Sequence, residues 1–265
     1  MKKNLIILNI ILILIVCVAV FSYVNNSYTV PVLMYHSINT DSANSRLIVS
    51  PDSFKKQMNF LKERNFNFIS LDEYVELLKN GKTPIKKSVV ITFDDGYADN
   101  YLYAFPVLKE FNIPATVFIV TDWVNNENML DWSQIKEMKN SNLVEIGSHS
   151  ITHDMLTEMP KVAMIREINQ SKEILEKTLD APIRFFGYPT GAHSEFIKEI
   201  TKIAGYKAAC ATSVDKRTAL NDLFAIRRIR ISHSADNLFI FSAQVSGYYN
   251  FLKDRRIKTG KWKKY

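Results

Sequence analysis

Between Pro31 and Leu252, short apolar runs rich in β-branched residues alternate with longer amphipathic segments, a rhythm that leaves few ways to hide apolar surface. Val32 to Tyr35, Ser88 to Phe93, Ala115 to Val120, Leu143 to Ile146, Ile183 to Phe186 and Ile229 to Ile231 read as strands. Ser53 to Arg64, Leu71 to Asn80, Tyr101 to Phe111, Trp132 to Asn140 and Lys161 to Leu179 read as helices, with Gly81 stopping the second and Asp131 capping the fourth. In the last of these Met164, Ile168, Leu175 and Leu179 follow helical spacing, which marks them as core. Strand–helix–strand succession implies parallel pairing, so the expected fold class is α/β, an open parallel sheet or a barrel. In such folds functional groups collect at the C-terminal ends of the strands.

The 265 residues are 47% hydrophobic and show no internal repeat, and one domain over residues 31–252 accommodates them. Cys17 and Cys210 lie far apart, which rules out a cysteine-rich zinc module and leaves histidines and carboxylates as metal ligands. The net charge of +7 sits mostly at the ends: residues 253–265 carry seven basic groups and one acid, and Lys2 and Lys3 add two more. A nearly neutral body without basic–aromatic repeats argues against nucleic acid as a partner. The basic tail, 253–265, reads as a solvated end, with anionic lipid or a wall polymer as the next candidates.

After Lys2 and Lys3, the apolar run from Leu5 to Tyr23 would be about 28 Å long as a helix, near the thickness of a bilayer core. Residues 1–24 are therefore expected to form a single N-terminal membrane anchor, a cleaved signal being the alternative, followed by a short linker over 25–30. The expected localisation is the cell membrane, single-pass with the domain outside, or secreted if the segment is cleaved.

Four strand ends carry chemistry. The run Val89-Val90-Ile91-Thr92-Phe93 stops in Asp94-Asp95-Gly96. Neighbours on an extended chain point opposite ways, so a bend is needed before both carboxylates serve one site; one could then hold a cation while the other works as a base on water. The next strand end holds His149-Ser150-Ile151-Thr152-His153, and on a helical turn that spacing would let two imidazoles grip one ion. Ser150 in place of Glu excludes the HExxH pattern, so the base must come from elsewhere, and Asp94 fills that gap. Two histidines and a carboxylate leave an open position, as a catalytic divalent metal requires: zinc first, with cobalt, nickel or manganese as further fits. Third, Gly187-Tyr188-Pro189-Thr190-Gly191 forms a tight loop whose Thr190 N–H could stabilise an oxyanion. Fourth, Val32 to Tyr35 ends in His36, a strand-end imidazole suited to general-acid work, with His233 after the Ile229 run as its competitor.

Thr92-Phe93-Asp94-Asp95-Gly96, His149-Ser150-x-x-His153 and Tyr188-Pro189-x-Gly191 together resemble the NodB-like polysaccharide deacetylases, carbohydrate esterase family 4. The resemblance covers roughly Pro31 to Ile231 and implies a distorted (β/α) barrel that removes N-acetyl groups from an N-acetylated polysaccharide with a divalent metal. By motif position Asp94 resembles the base, and Asp95, His149 and His153 the metal triad. The early Tyr35-His36-Ser37 is similar to the branch acting on poly-N-acetylglucosamine, which favours His36 as the acid. Where the family has Arg before its third motif this chain has Gly187; Arg184 stands three residues early, and Arg228 is a candidate to orient Asp94 instead. Tyr188 and His233 are supporting or substrate-binding candidates, and Asp215 a weak carry-over. Peptidoglycan or chitin oligomers are alternative substrates, and a degenerate carbohydrate-binding surface protein is the alternative of a different class.

Overall fold

The structure is a computed structural model describing the backbone of residues 2–25, 27–40, 47–82, 85–212 and 222–258, with side chains described for these except 2–8, 20–21 and 254–258. In chain order the elements are α1 (Lys2–Asn25), β1 (Val32–Tyr35), β2 (Ser37–Ile38), β3 (Ile48–Val49), α2 (Pro51–Glu63), β4 (Asn67–Phe68) and α3 (Leu71–Lys79). Next come β5 (Ser88–Phe93), α4 (Phe105–Phe111), β6 (Ala115–Ile119), α5 (Trp132–Asn140), β7 (Val144–Ser148) and α6 (Lys161–Leu179). The last are β8 (Phe185–Gly187), α7 (Glu195–Ile203), β9 (Ala208–Ala211), β10 (Ile226–Arg227), β11 (Ile229–Arg230), α8 (Leu238–Gln244) and α9 (Tyr249–Lys258).

The strands pair in parallel in the order β10, β9, β8, β7, β6, β5, β1, β11, with β4 also on β5. Closure comes from one extended stretch. Ile226 and Arg227 pair with Cys210 and Ala211 of β9, while Ile229 and Arg230, two residues on, pair with Leu33 and Met34 of β1. The sheet thereby comes round on itself as a nearly closed barrel, with Arg228 at the seam. Side chains alternate across each strand. Val32, Val90, Phe118, Phe185, Cys210 and Ile226 gather in an inner cluster with Leu71, Tyr74 and Val75 of α3, so that helix plugs the N-terminal end. Leu33, Tyr35, Ile91, Phe93, Val117 and Phe186 face outward onto Phe54, Met58 and Leu61 of α2 and Ile168 and Leu175 of α6.

Helix starts follow local chemistry. Ser50 accepts from Ser53 N, Ser70 from Glu73 N and Ser194 from Ile197 N, and Asp131 forms a reciprocal capping box with Gln134; such caps are worth about 1 kcal/mol each. The expected helix from Tyr101 instead opens with a π turn over Asn100–Ala104, in which Phe105 N bonds Asn100 O. Pro106 lacks the N–H that would continue an α ladder back to Leu102. Strands β4, β9 and β10 have no clear counterpart in the sequence pattern. β9 is Ala-Ala-Cys-Ala, weak in intrinsic strand preference, and is extended because β8 and β10 flank it.

The N-terminal expectation needs correction. A helix does run over Lys2–Asn25, but among the described residues no helix is long and apolar enough to cross a membrane. The expected linker is tied to the barrel: Thr29 N bonds Gly247 O at 2.9 Å, and the Tyr28 hydroxyl accepts from Lys87 N at 2.9 Å. The expected boundary at 252/253 falls inside α9, and residues 259–265 of the tail lie outside the described residues, as does Asp215.

Candidate active site

Strand register decides which residues meet at the C-terminal mouth. Met34 pairs with Thr92 and Tyr35 with Phe93, and Asp94 N bonds Tyr35 O at 2.9 Å, so His36 and Asp94 stand side by side one step further on. Both continue the inward-facing alternation of Val32 and Val90. On β7 and β8 the same counting brings His149 beside Gly187, since Ser148 pairs with Phe186. Arg228 continues the inward series of Ile226.

The bend required between the two aspartates is built by the backbone. Asp95 has φ 73° and Gly96 φ 83°, and this left-handed pair turns Asp95 back toward the face that Asp94 already occupies. Asp95 Oδ1 then lies 3.5 Å from His149 Nε2 and 3.4 Å from His153 Nε2. Those separations match the edge of a tetrahedron whose centre is about 2.1 Å from each ligand, the usual zinc–nitrogen distance. The HxxxH segment is not a helical turn, contrary to expectation. It is a loop in which Ser150 (φ 69°) and His153 (φ 68°) are both left-handed, and the ring centroids of the histidines come within 4.9 Å by that route.

Two further side chains shape the loop. His149 Nδ1 lies 2.7 Å from Gly187 O; donation there leaves Nε2 as the lone-pair nitrogen. A Cβ on residue 187 would sit 2.9 Å from that nitrogen, so a glycine fits where the family motif has arginine. Glu167, fully buried on α6, accepts from Ile151 N at 2.8 Å and Thr152 N at 3.0 Å, and so ties down the stretch between the two histidines. Sequence reasoning missed Glu167; a lone acid within the apolar periodicity of α6 is the signal that was there to be read.

Arg228 supplies what the third motif lacks. Its guanidinium is buried and forks onto Asp94, Nη1 to Oδ1 at 2.5 Å and Nη2 to Oδ2 at 2.7 Å. Arg184 does otherwise: it is partly exposed and pairs with Glu145 and Asp72. Burial pushes the Asp94 carboxyl up, but nearby positive charge, led by Arg228, overcomes this and holds it at about 2. Asp95 goes the other way, raised to about 7 by burial and then by the Asp94 charge. Burial lowers His149 to about 3 and His36 to about 4, so both rings are neutral at pH 7.

These features fit a divalent cation. Asp95 Oδ1 is buried without a hydrogen-bond partner among the described residues, and the three ligand atoms lie within 4.8 Å of one another. A cation there would relieve the repulsion between the aspartates, and neutral imidazoles are the ligand form.

The remaining candidates separate. Thr190 is exposed at the mouth beyond β8 with φ 59°. Tyr188 is buried, its hydroxyl donating to Phe224 O at 3.0 Å, an arrangement that fits a supporting role for the loop. His233 is exposed on the turn after β11.

Comparison with known proteins agrees with this geometry. The family model for polysaccharide deacetylase matches residues 81–209. The chain is 33% identical to a poly-beta-1,6-N-acetyl-D-glucosamine N-deacetylase of Staphylococcus aureus, over 71% of this chain and 69% of that protein. Among solved structures it superposes on the Streptococcus pyogenes deacetylase PplD in complex with acetate at a TM-score of 0.72 and 31% identity, covering 80% of this chain and 96% of that one. IcaB from Ammonifex degensii gives 0.71 and 26%, covering 82% and 97%.

Proposed function

The chain belongs to the polysaccharide deacetylase family, and from that premise we propose that it removes N-acetyl groups from an extracellular N-acetylglucosamine polymer, poly-β-1,6-linked chains first, with a divalent metal. One observation carries the reading: Asp95, His149 and His153 converge while Asp94, locked by Arg228, stands beside them. The polymer is inferred from the S. aureus relative, and His36 at the end of β1 agrees with that branch.

A divalent ion held by Asp95, His149 and His153 would supply Lewis-acid polarisation and more acidic water. Asp94 accepts the proton of the attacking water; its carboxylate is ionised at pH 7 and oriented by the Arg228 fork. The Thr190 N–H is assigned to the oxygen that gains charge as the acetamide carbon becomes tetrahedral. His36, the register neighbour of Asp94, takes up the proton that Asp94 gains from water and passes it to the nitrogen, because an amide anion leaves too poorly unaided, and both side chains return to their resting forms. Acetate and a free amine result.

The test is acetate release from partly acetylated poly-β-1,6-glucosamine, peptidoglycan and xylan by the full chain, with and without chelator. Release from the first, lost with chelator and restored by zinc or cobalt, is expected; no release from any of them would overturn the reading. Asp94→Asn should keep metal binding and lose acetate release by at least about a hundredfold. The same proposal puts the domain outside the cell, on the strength of the apolar segment that follows Lys2 and Lys3. Protease accessibility on intact cells checks it.

A further inference from the structure

We propose that Asp99 is a positioning residue for His36 and, through it, for protonation of the leaving nitrogen. This rests on the deacetylase reading above and adds to it a group outside the family motifs quoted from the sequence.

Asp99 lies five residues beyond Asp94 on the segment that leaves β5, and its carboxylate is buried. Three donors converge on it: Ser37 Oγ to Oδ2 at 2.5 Å, Ile38 N to Oδ1 at 3.0 Å and Asn100 Nδ2 to Oδ1 at 3.0 Å. Asn100 is fully buried, and the same Nδ2 also donates to the backbone oxygen of His36 at 2.7 Å. Residues 36, 37 and 38 are thus each held by the Asp99–Asn100 pair, two of them directly by the carboxylate. Backbone pairing adds to this, with Ser37 N on Leu47 O at 3.2 Å and Asn39 N on Val49 O at 3.0 Å.

The imidazole of His36 has no comparable anchor. Its Nδ1 is buried and makes no hydrogen bond among the described residues, so the ring is placed by the main chain that bears it. That main chain is clamped by the loop that also presents Asp94 and Asp95. The segment from 94 to 100 therefore carries the base and a metal ligand and braces the acid, which ties the spacing of the acid–base pair to one short piece of chain. Three donors on one buried carboxylate also explain why the position is Asp: a charged acceptor is the strong partner for several N–H and O–H groups at once.

The test uses the metal-loaded full chain with Asp99→Asn, Asp99→Ala and, as reference, His36→Ala. Each is assayed on a β-1,6-linked N-acetylglucosamine oligomer and on 4-nitrophenyl acetate, whose phenolate departs without a proton. Asp99→Ala should lower kcat on the amide by at least about tenfold with KM little changed, and leave ester hydrolysis within about threefold. Asp99→Asn, nearly the same shape, should fall between it and the parent. In the metal-free protein labelled with ¹³C-histidine, the His36 ring signal should shift or broaden in Asp99→Ala while those of His149 and His153 hold. Equal losses on amide and ester, or an unmoved His36 signal, would show Asp99 to be merely structural and overturn the proposal. If His36→Ala spares the ester but Asp99→Ala does not, the Asp99 proposal alone fails. If His36→Ala loses both substrates equally, the acid assignment falls, and this proposal with it.

Discussion

At the residue scale, two adjacent aspartates with the same side chain are driven apart by their surroundings. Asp94 meets a guanidinium and is held at about 2, whereas Asp95 meets burial and the Asp94 charge and rises to about 7. Metal affinity should therefore depend on pH through Asp95. Below about 7 the metal-free form holds a proton that binding must expel, so affinity should fall by up to tenfold per pH unit on the acid side and level off above. His149, neutral down to about 3, contributes nothing to this slope. Calorimetric titration with zinc in buffers of different ionisation enthalpy should find about one proton released at pH 6 and almost none at pH 8. The pairing of Asp94 with Arg228 has its own consequence. Arg228→Met leaves a carboxylate buried without its partner, and urea unfolding should show a loss of about 3–5 kcal/mol.

At the scale of the element, strands position the ligands and loops aim them. β5 and β7 deliver Asp94 and His149 by plain alternation, which is why both were legible as strand ends. Asp95 and His153 arrive only through left-handed backbone at Asp95, Gly96, Ser150 and His153, conformations that cost a non-glycine residue about 1 kcal/mol or more each. α6 offsets part of that cost through Glu167, whose carboxylate accepts two successive N–H groups of the histidine loop. Glu167→Gln keeps the shape and loses the charge, and zinc affinity measured against a chromophoric chelator should drop about tenfold. Unchanged affinity would mean that the loop holds itself. The helical spacing of the two histidines was misleading, because HxxxH describes sequence distance and the path between them was free to be something other than a helix.

For the molecule as a whole, closing the barrel is what brings Arg228 to Asp94. The residues are 134 apart in sequence, and they meet because Ile226–Arg230 hands its pairing from β9 to β1 at Arg228. A Pro at Ile229 would remove a backbone N–H and disturb this seam. Ile229→Pro should accordingly reduce acetate release and the urea midpoint together, whereas Ile229→Val should do neither. The mouth then gathers His36, Asp94, His149, Gly187 and Arg228 from five separate stretches, while α3 seals the opposite end with Leu71, Tyr74 and Val75.

The amino-acid order alone determined the α/β succession, the strand ends that bear Asp94, His149 and His36, and the family, since apolar periodicity and short motifs are local properties. It offered Arg228 in place of Arg184 as a candidate, but the pairing of Arg228 with Asp94 and the roles of Glu167 and Asp99 lay beyond it, because an ion pair or a backbone brace across the barrel depends on which strands become neighbours. Nor did it show that the Tyr188 hydroxyl turns inward. Those choices belong to the tertiary structure, where burial makes an unpartnered charge costly and strand closure decides which partner is at hand.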